Sequence, residues 1–425
     1  MDGPEPVEQA ETQASAAAEP EAQARAFRRH VFYLPGYDPF HPRRYRELYR
    51  KEGQAQAAVS GYDIALRPRQ GAGPYGWHVA AAIGGQRTEA DVEVLVWSDI
   101  VKTSMSLGIA ATYLQLLRTA WAYIGSGALF RLMRLRKGPM IAALYPIVFL
   151  LLQLAVALAA GWGLGLVVAR LSHPLAGWVL GSALVWLVLR MFRRWDNRIF
   201  AWYLMHDYAY SAQAGGANPP ELEARMAAFR SQIAAALASD VDEVLVVGHS
   251  SGAHLGISIL ADLIREGLPP PPQDGARPAL ALLTLGQVVP MVSFLPEARR
   301  LRGDLAFLCT RDELTWVDVT APGDGCAFAL CDPVCVSGVA PPEGKRWPLI
   351  LSAAFTQTLS PERWKALRRR YFRLHFQYLC AFDRPGDYDY FRITAGPLTL
   401  AARYEGRPAS KSRIETPLSG YRTTA

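Results

Sequence analysis

From Met140 to Ala169 the chain carries no charged side chain, and after Arg170 the stretch Leu171–Leu189 is again uncharged apart from any proton on His173. A bilayer span needs about 20 apolar residues, so both stretches qualify, the first with length to spare for tilt. The link Arg170–Leu–Ser–His–Pro174 is too short for anything but an antiparallel hairpin. Arg131, Arg134, Arg136 and Lys137 precede the first stretch, and Arg190, Arg193, Arg194 and Arg198 follow the second. Positive residues stay cytoplasmic, which predicts a two-span hairpin with both ends in the cytoplasm. The competing reading is a hairpin buried in the core of a large globular domain.

That clustering also explains much of the basic balance. The 425 residues have a formal net charge of +7, with 51% hydrophobic and 20% charged residues, and a mean hydropathy of +0.06. Such a charged fraction excludes a wholly disordered chain, and no nucleic-acid partner is needed to explain the arginines. The first 25 residues are acidic, Ala-rich and dotted with proline. They lack the basic start and apolar run of a signal peptide and are expected to form a disordered tail. All five cysteines (Cys309, Cys326, Cys331, Cys335 and Cys380) fall in the last third. An odd count without a CxxC pair fits neither a disulfide framework nor a common zinc pattern, so they read as small reduced thiols, and no metal or cofactor is expected.

Val244–Val247 is a short apolar run of the kind that forms a buried parallel strand. It leads into Gly248–His–Ser250–Ser–Gly252, and then a helical stretch in which Leu255, Ile259, Leu260 and Leu263 share a face. Strand, serine between two glycines, and helix together resemble the nucleophile elbow of the α/β-hydrolase superfamily. There the glycines clear space around a sharp turn; Gly256 is expected to let the helix approach the sheet.

Other stretches carry the resemblance further. Arg29–Asp38 reads as a strand ending at Gly36–Tyr37 and is similar to the strand whose following loop donates one oxyanion N–H; the second donor would be the Ser251 N–H. Asp91–Ser98 resembles the next strand, and Leu280–Gly286 and Leu314–Thr320 two more. The family's order of serine, acid and histidine implies a triad of Ser250, Asp324 and His375. Asp324 falls in the turn after a strand, where the acid belongs; Asp318 and Asp332 are the alternatives. His375 is the one histidine beyond Asp324, in an H-x-x-Y stretch ending at Tyr378. A helix expected over Pro361–Phe372 departs from the family's usual placement of that histidine directly after the last strand.

The remaining features receive ordinary structural readings. His249 and His254 belong to the elbow and its helix, and His206 is expected near the sheet. The basic run Lys365, Arg368, Arg369, Arg370 and Arg373 is a solvated helix face, with anionic headgroups as the alternative contact. The proline run at 269–272 is a linker.

The resemblance therefore implies one α/β domain of mostly parallel sheet flanked by helices, over residues 26–102 and 201–400. The membrane insertion of 103–200 interrupts it, and 401–425 forms a C-terminal tail. Thr103–Phe130 has a single charge, Arg118. It is read as a helix lying on the membrane or over the site, because a third span would put the two halves of the domain on opposite sides. The implied activity is a membrane-anchored serine esterase or lipase acting on a lipophilic ester or thioester, in the cytoplasmic membrane and with the lipid bilayer as its partner. An acyltransferase with the same triad and a non-catalytic membrane scaffold are the competing functions.

Overall fold

A computed structural model describes residues 25–69, 73–272 and 276–424; all but Arg25 of the tail expected over 1–25, and part of the linker after 269–272, lie outside them. The chain opens with strand β1 (Phe27–Leu34), helix α1 (Arg43–Ser60), β2 (Asp63–Pro68), β3 (Gly76–Ile83) and β4 (Gln86–Val94). Gly84 and Gly85, both at positive φ, close the β3–β4 hairpin, since a tight two-residue hairpin turn asks for left-handed residues that glycine adopts freely. Helices α2 (Ser98–Ser104), α3 (Ile109–Gly125), α4 (Ala128–Leu135), α5 (Lys137–Leu171), α6 (Pro174–Arg194), the single turn α7 (Asp196–Ile199), α8 (Ala201–Ala212) and α9 (Pro220–Leu237) follow. The second half runs β5 (Glu243–His249), α10 (Gly252–Arg265), β6 (Ala279–Leu285), α11 (Val289–Ser293), α12 (Arg299–Leu308), β7 (Leu314–Thr320), α13 (Pro333–Val336) and β8 (Leu349–Ser352). It ends in α14 (Phe355–Thr358), α15 (Pro361–Leu367), α16 (Tyr371–His375), α17 (Tyr390–Ala395) and α18 (Leu400–Arg403).

The eight strands form one sheet in the order β2-β3-β4-β1-β5-β6-β7-β8. β4, β1, β5, β6, β7 and β8 run parallel, and β3 is antiparallel to both of its neighbours. Every residue of β5 is buried, as a central strand covered on both faces must be. Alternate side chains of β5 then feed two apolar cores. Leu245 and Val247 point to the face covered by α1, α17 and the C-terminal segments, and Val244 and Val246 to the face covered by α9, α10 and α12. α10 is buried around most of its circumference, not along one stripe, because α9 and α12 enclose the side turned from the sheet. Beyond Arg403 the chain stays on the body: Ile414 pairs with Cys331, and Leu418 and Ser419 donate N–H groups to Val336 O.

α5 and α6 are long and apolar enough to cross a membrane. Four glycines hold them together. A β-carbon on Gly181 would lie 2.7 Å from Gly161 O, and one on Gly177 would lie 2.4 Å from Gly165 O. The two GxxxG spacings let the backbones meet, as small residues do in apolar helix pairs. At 1.5 Å per residue the 35 residues of α5 extend about 50 Å, well beyond a hydrocarbon core of about 30 Å. The excess is accounted for by protein: Met140 and Ala143 are buried in a core with α4, and Leu150 packs with Leu116, Trp202 and Met205. The uncharged stretch expected to be all span is thus divided, its first turns packing on the domain and its remainder presenting exposed leucines, valines and Trp162.

Candidate active site

Ser250 sits where the carboxyl end of β5 turns into α10. Its φ of +56° is left-handed, an uncommon conformation for a residue with a β-carbon. The Ser250 N–H is held by Leu285 O at 2.9 Å. The flanking glycines are required sterically: a β-carbon on Gly248 would lie 2.7 Å from Gly252 O, and one on Gly252 only 2.1 Å from Leu34 O. Gly36 passes so near that its own β-carbon would stand 3.0 Å from Ser250 Cβ. Gly256 differs from expectation. A β-carbon there would meet nothing nearer than Leu282 Cδ1 at 3.4 Å, so close helix–sheet approach does not depend on it.

Asp324 lies in the turn beyond β7, its N–H bonded to Ala321 O at 2.9 Å. Its Oδ2 is 2.7 Å from His375 Nδ1, and both side chains are buried. Tyr378 OH donates to the same oxygen at 3.1 Å while accepting from Ala321 N–H at 3.0 Å. The Cys326 N–H donates to Oδ1 at 2.9 Å. This carboxylate thus has two partners on Oδ2 and one on Oδ1, and Tyr378 gains a role that its place in the sequence did not specify. Asp318 and Asp332 are placed elsewhere. Asp318 lies inside β7, accepts from Thr284 Oγ1 at 2.6 Å, and is pushed by burial up to about 8. Asp332 caps α13 through Val334 N and Cys335 N and pairs with Lys345 at 2.7 Å.

The segment before His375 is two short helices, α15 and α16, broken at Arg368–Arg370, where one continuous helix to Phe372 was expected. The break leaves Lys365, Arg368, Arg369, Arg370 and Arg373 exposed and turns His375 inward. The His375 carbonyl accepts from His249 Nε2 at 3.0 Å. Burial pushes His249 down to about 3, so this imidazole is neutral and donates that proton. Gly286, at φ +53°, allows the close passage of His375, whose Cε1 would be 3.1 Å from a β-carbon there. Because Leu285 holds the Ser250 N–H, the imidazole lies against the same strand end as the serine. No hydrogen bond joins Ser250 Oγ to His375.

Among the described residues, neither the Tyr37 nor the Ser251 N–H has a hydrogen-bond acceptor. Tyr203 OH donates to Tyr37 O, and the Tyr37 and Ser104 hydroxyls are 2.6 Å apart. α8 and α2 thus hold the loop after β1 in place. A narrow cleft of about 20 Å³ adjoins this loop, lined among others by Tyr37, Asp207, Tyr210, Ser251 and His254. Burial raises Asp207 to about 7, the charge of His375 opposing the shift. Burial also lowers His254 to about 4; its Nδ1 and Tyr210 OH are buried without protein partners. Sequence reasoning missed Asp207, whose one signal is a carboxylate inside an apolar helix. His206, expected near the sheet, faces α3 instead, with Nδ1 3.0 Å from Gln115 Oε1.

The described cysteines are free, and Cys326, Cys331 and Cys335 do not converge on one point. Two other groups bring three metal-capable atoms within 4.8 Å of one another: Asp324 with Cys326 and His375, and Asp332 with Cys335 and Glu415. In each, the central carboxylate is already engaged, by His375 and Tyr378 or by Lys345. No family model, curated protein or solved structure matches this chain.

Proposed function

We propose that the protein is a membrane-anchored serine hydrolase of α/β-hydrolase type that cleaves a lipophilic carboxylic ester or thioester. The observation that carries this reading is the Asp324–His375 pair set beside a serine in a left-handed strand-to-helix turn. All of these groups lie at the carboxyl ends of parallel strands, where ligands bind in open α/β sheets.

In this mechanism Ser250 Oγ attacks the acyl carbonyl carbon and its proton passes to His375 Nε2. Asp324 keeps the other imidazole proton on Nδ1 and stabilises the imidazolium as it forms. The carbonyl electron pair moves onto oxygen, where the free Tyr37 and Ser251 N–H groups are the available donors. As the tetrahedral centre collapses, the C–O or C–S bond breaks and His375 returns the proton to the leaving alkoxide or thiolate. Water then repeats the sequence on the acyl-enzyme, again through His375. The Ser250–His375 hydrogen bond forms when substrate is bound, as such bonds tighten in the Michaelis complex.

The apolar hairpin supports the membrane part of the reading. α5 leaves from the domain side and α6 returns to it, so the hairpin would anchor the domain in the cytoplasmic membrane without dividing it. The basic flanks support a cytoplasmic position for the domain and both described ends. The α2–α3 pair is bent by 101°, which suits α3 to lie along the surface with Leu117 and Trp121 outward.

The test is labelling by a fluorophosphonate bearing a long alkyl chain. Wild-type protein in membranes should be tagged, and Ser250→Ala should remain untouched while still folded. Folded wild-type protein that resists the probe would sink the hydrolase reading and favour the scaffold. Release of free acid from an ester substrate separates hydrolysis from transfer to another acceptor.

A further inference from the structure

α3 and the last three turns of α6 stand apart and leave an open groove of about 1360 Å³. That space is above the 300–1,000 Å³ typical of a small-molecule cleft. Its walls follow helical spacing. On α3 they are Ile109, Tyr113 and Leu117, and on α6 Ser182, Val185, Trp186 and Leu189. The floor is rigid, because Tyr113 OH donates to Leu150 O at 3.0 Å and its ring packs edge-on to Trp202.

One end of this apolar groove is strongly basic. Arg190, Arg193 and Arg194 line it, on one face of α6 at i, i+3 and i+4. Among the described residues none of the three has a carboxylate partner; Arg190 stacks on Trp186 and Arg193 on Trp202. Asp196, the nearest acid in sequence, is spent on the N–H groups of Trp202 and Tyr203. Apolar walls that end in unpaired guanidinium groups complement a lipid whose chains lie along the helices and whose phosphate sits at their end.

We propose that this groove binds one anionic phospholipid of the membrane, with its phosphate held by Arg190, Arg193 and Arg194 and its acyl chains between α3 and α6. The site rests on the reading that the hairpin lies in the bilayer, and is independent of the triad. It ties α3, which contacts α8 through Gln115 and His206, to the lipid composition around it.

The test uses full-length protein in nonionic detergent, given equimolar phosphatidylglycerol and phosphatidylcholine and examined by native mass spectrometry. Wild type should retain phosphatidylglycerol by about tenfold or more over phosphatidylcholine. The triple variant Arg190→Gln, Arg193→Gln, Arg194→Gln should bind both equally, and Arg134→Gln, a neutralised arginine outside the groove, should keep the preference. Equal retention by wild type, loss of preference in Arg134→Gln, or displacement of the lipid by millimolar inorganic phosphate would each overturn the proposal. Carbonate washing of membranes separates the two readings. A chain that washes off takes the hairpin reading down with the lipid site, whereas an integral chain without lipid preference removes the site alone.

Discussion

The Tyr378 hydroxyl joins the Asp324 carboxylate at 3.1 Å while it receives the Ala321 N–H at 3.0 Å. One phenol thereby ties the acid to the backbone of its own turn, and the acid's second oxygen is tied to the Cys326 N–H. His375 completes the set at 2.7 Å. Asp324 is held from three directions before any substrate arrives, which is the preorganisation an imidazole-orienting group needs.

Replacing Asp324 by Asn should therefore cost far more activity than its size suggests. The amide keeps the shape but favours the wrong imidazole tautomer, and a loss of about 10³- to 10⁴-fold in fluorophosphonate labelling rate is expected. Asp318→Asn should label at close to the wild-type rate, since that carboxyl bonds Thr284. Tyr378→Phe should fall between them. A large loss in Asp318→Asn, with Asp324→Asn unaffected, would reassign the acid.

How far such a site is legible in sequence depends on which forces made it. The Val244–Val247 run and the glycines around Ser250 announce themselves, because a buried strand and a tight turn restrict residue type locally. Asp324 stands ahead of Asp318 through its place in a turn, a local fact, since chain order admits both. Tyr378 and Asp207 are not legible, because their roles arise from burial and from neighbours more than 50 and 100 positions away. Hydropathy cannot divide α5 either: Met140 and Ala143 are as apolar as residues facing lipid, yet they pack on α4. β2 and β3 escape the sequence reading although Gly84–Gly85 marks the turn into β4, and the strand read over Asp91–Ser98 lies instead at Gln86–Val94, with Ser98 opening α2.

The glycine requirement yields a paired stability test. Gly252→Ala would force a β-carbon to 2.1 Å from Leu34 O, a backbone atom that has no rotamer with which to retreat. It should cost several kcal/mol, on the order of 3 or more, or prevent folding. Gly256→Ala adds a methyl at ordinary contact distance in mid-helix, where Ala exceeds Gly in propensity by about 1 kcal/mol. Its denaturation midpoint should equal or exceed that of wild type.

Arg29 and Glu243 form a fully buried ion pair at 2.6 Å across the β1–β5 seam. The guanidinium also donates to Gly396 O, and the Glu243 carboxylate accepts from Leu400 N. Truncating Arg29 to Ala strands a buried carboxylate and should destabilise by about 3–5 kcal/mol. Arg407→Ala, which removes an exposed pair with Asp387, should change stability by less than about 1 kcal/mol. Chemical denaturation of the two variants side by side measures the contrast, and it also reports whether the C-terminal segment past Gly396 unfolds together with the sheet.

Asp207 supplies the pH dependence. Its carboxyl titrates near 7 in the folded protein, against about 3.9 in an unfolded chain. The folded state thus holds a proton that the unfolded state has already released, and linkage requires this residue's contribution to stability to fall as pH rises from about 4 to 7. Above that window both states are ionised and the cost levels off. Asp207→Asn removes the titration, so the variant should match wild type near pH 4 and exceed it by about 1–3 kcal/mol at pH 8. Subtracting the two stability curves cancels the opposite contributions of His249 and His254, whose lowered values favour the folded state as pH rises. A flat difference between pH 4 and 8 would show that the cleft around Asp207 is as well solvated as bulk water.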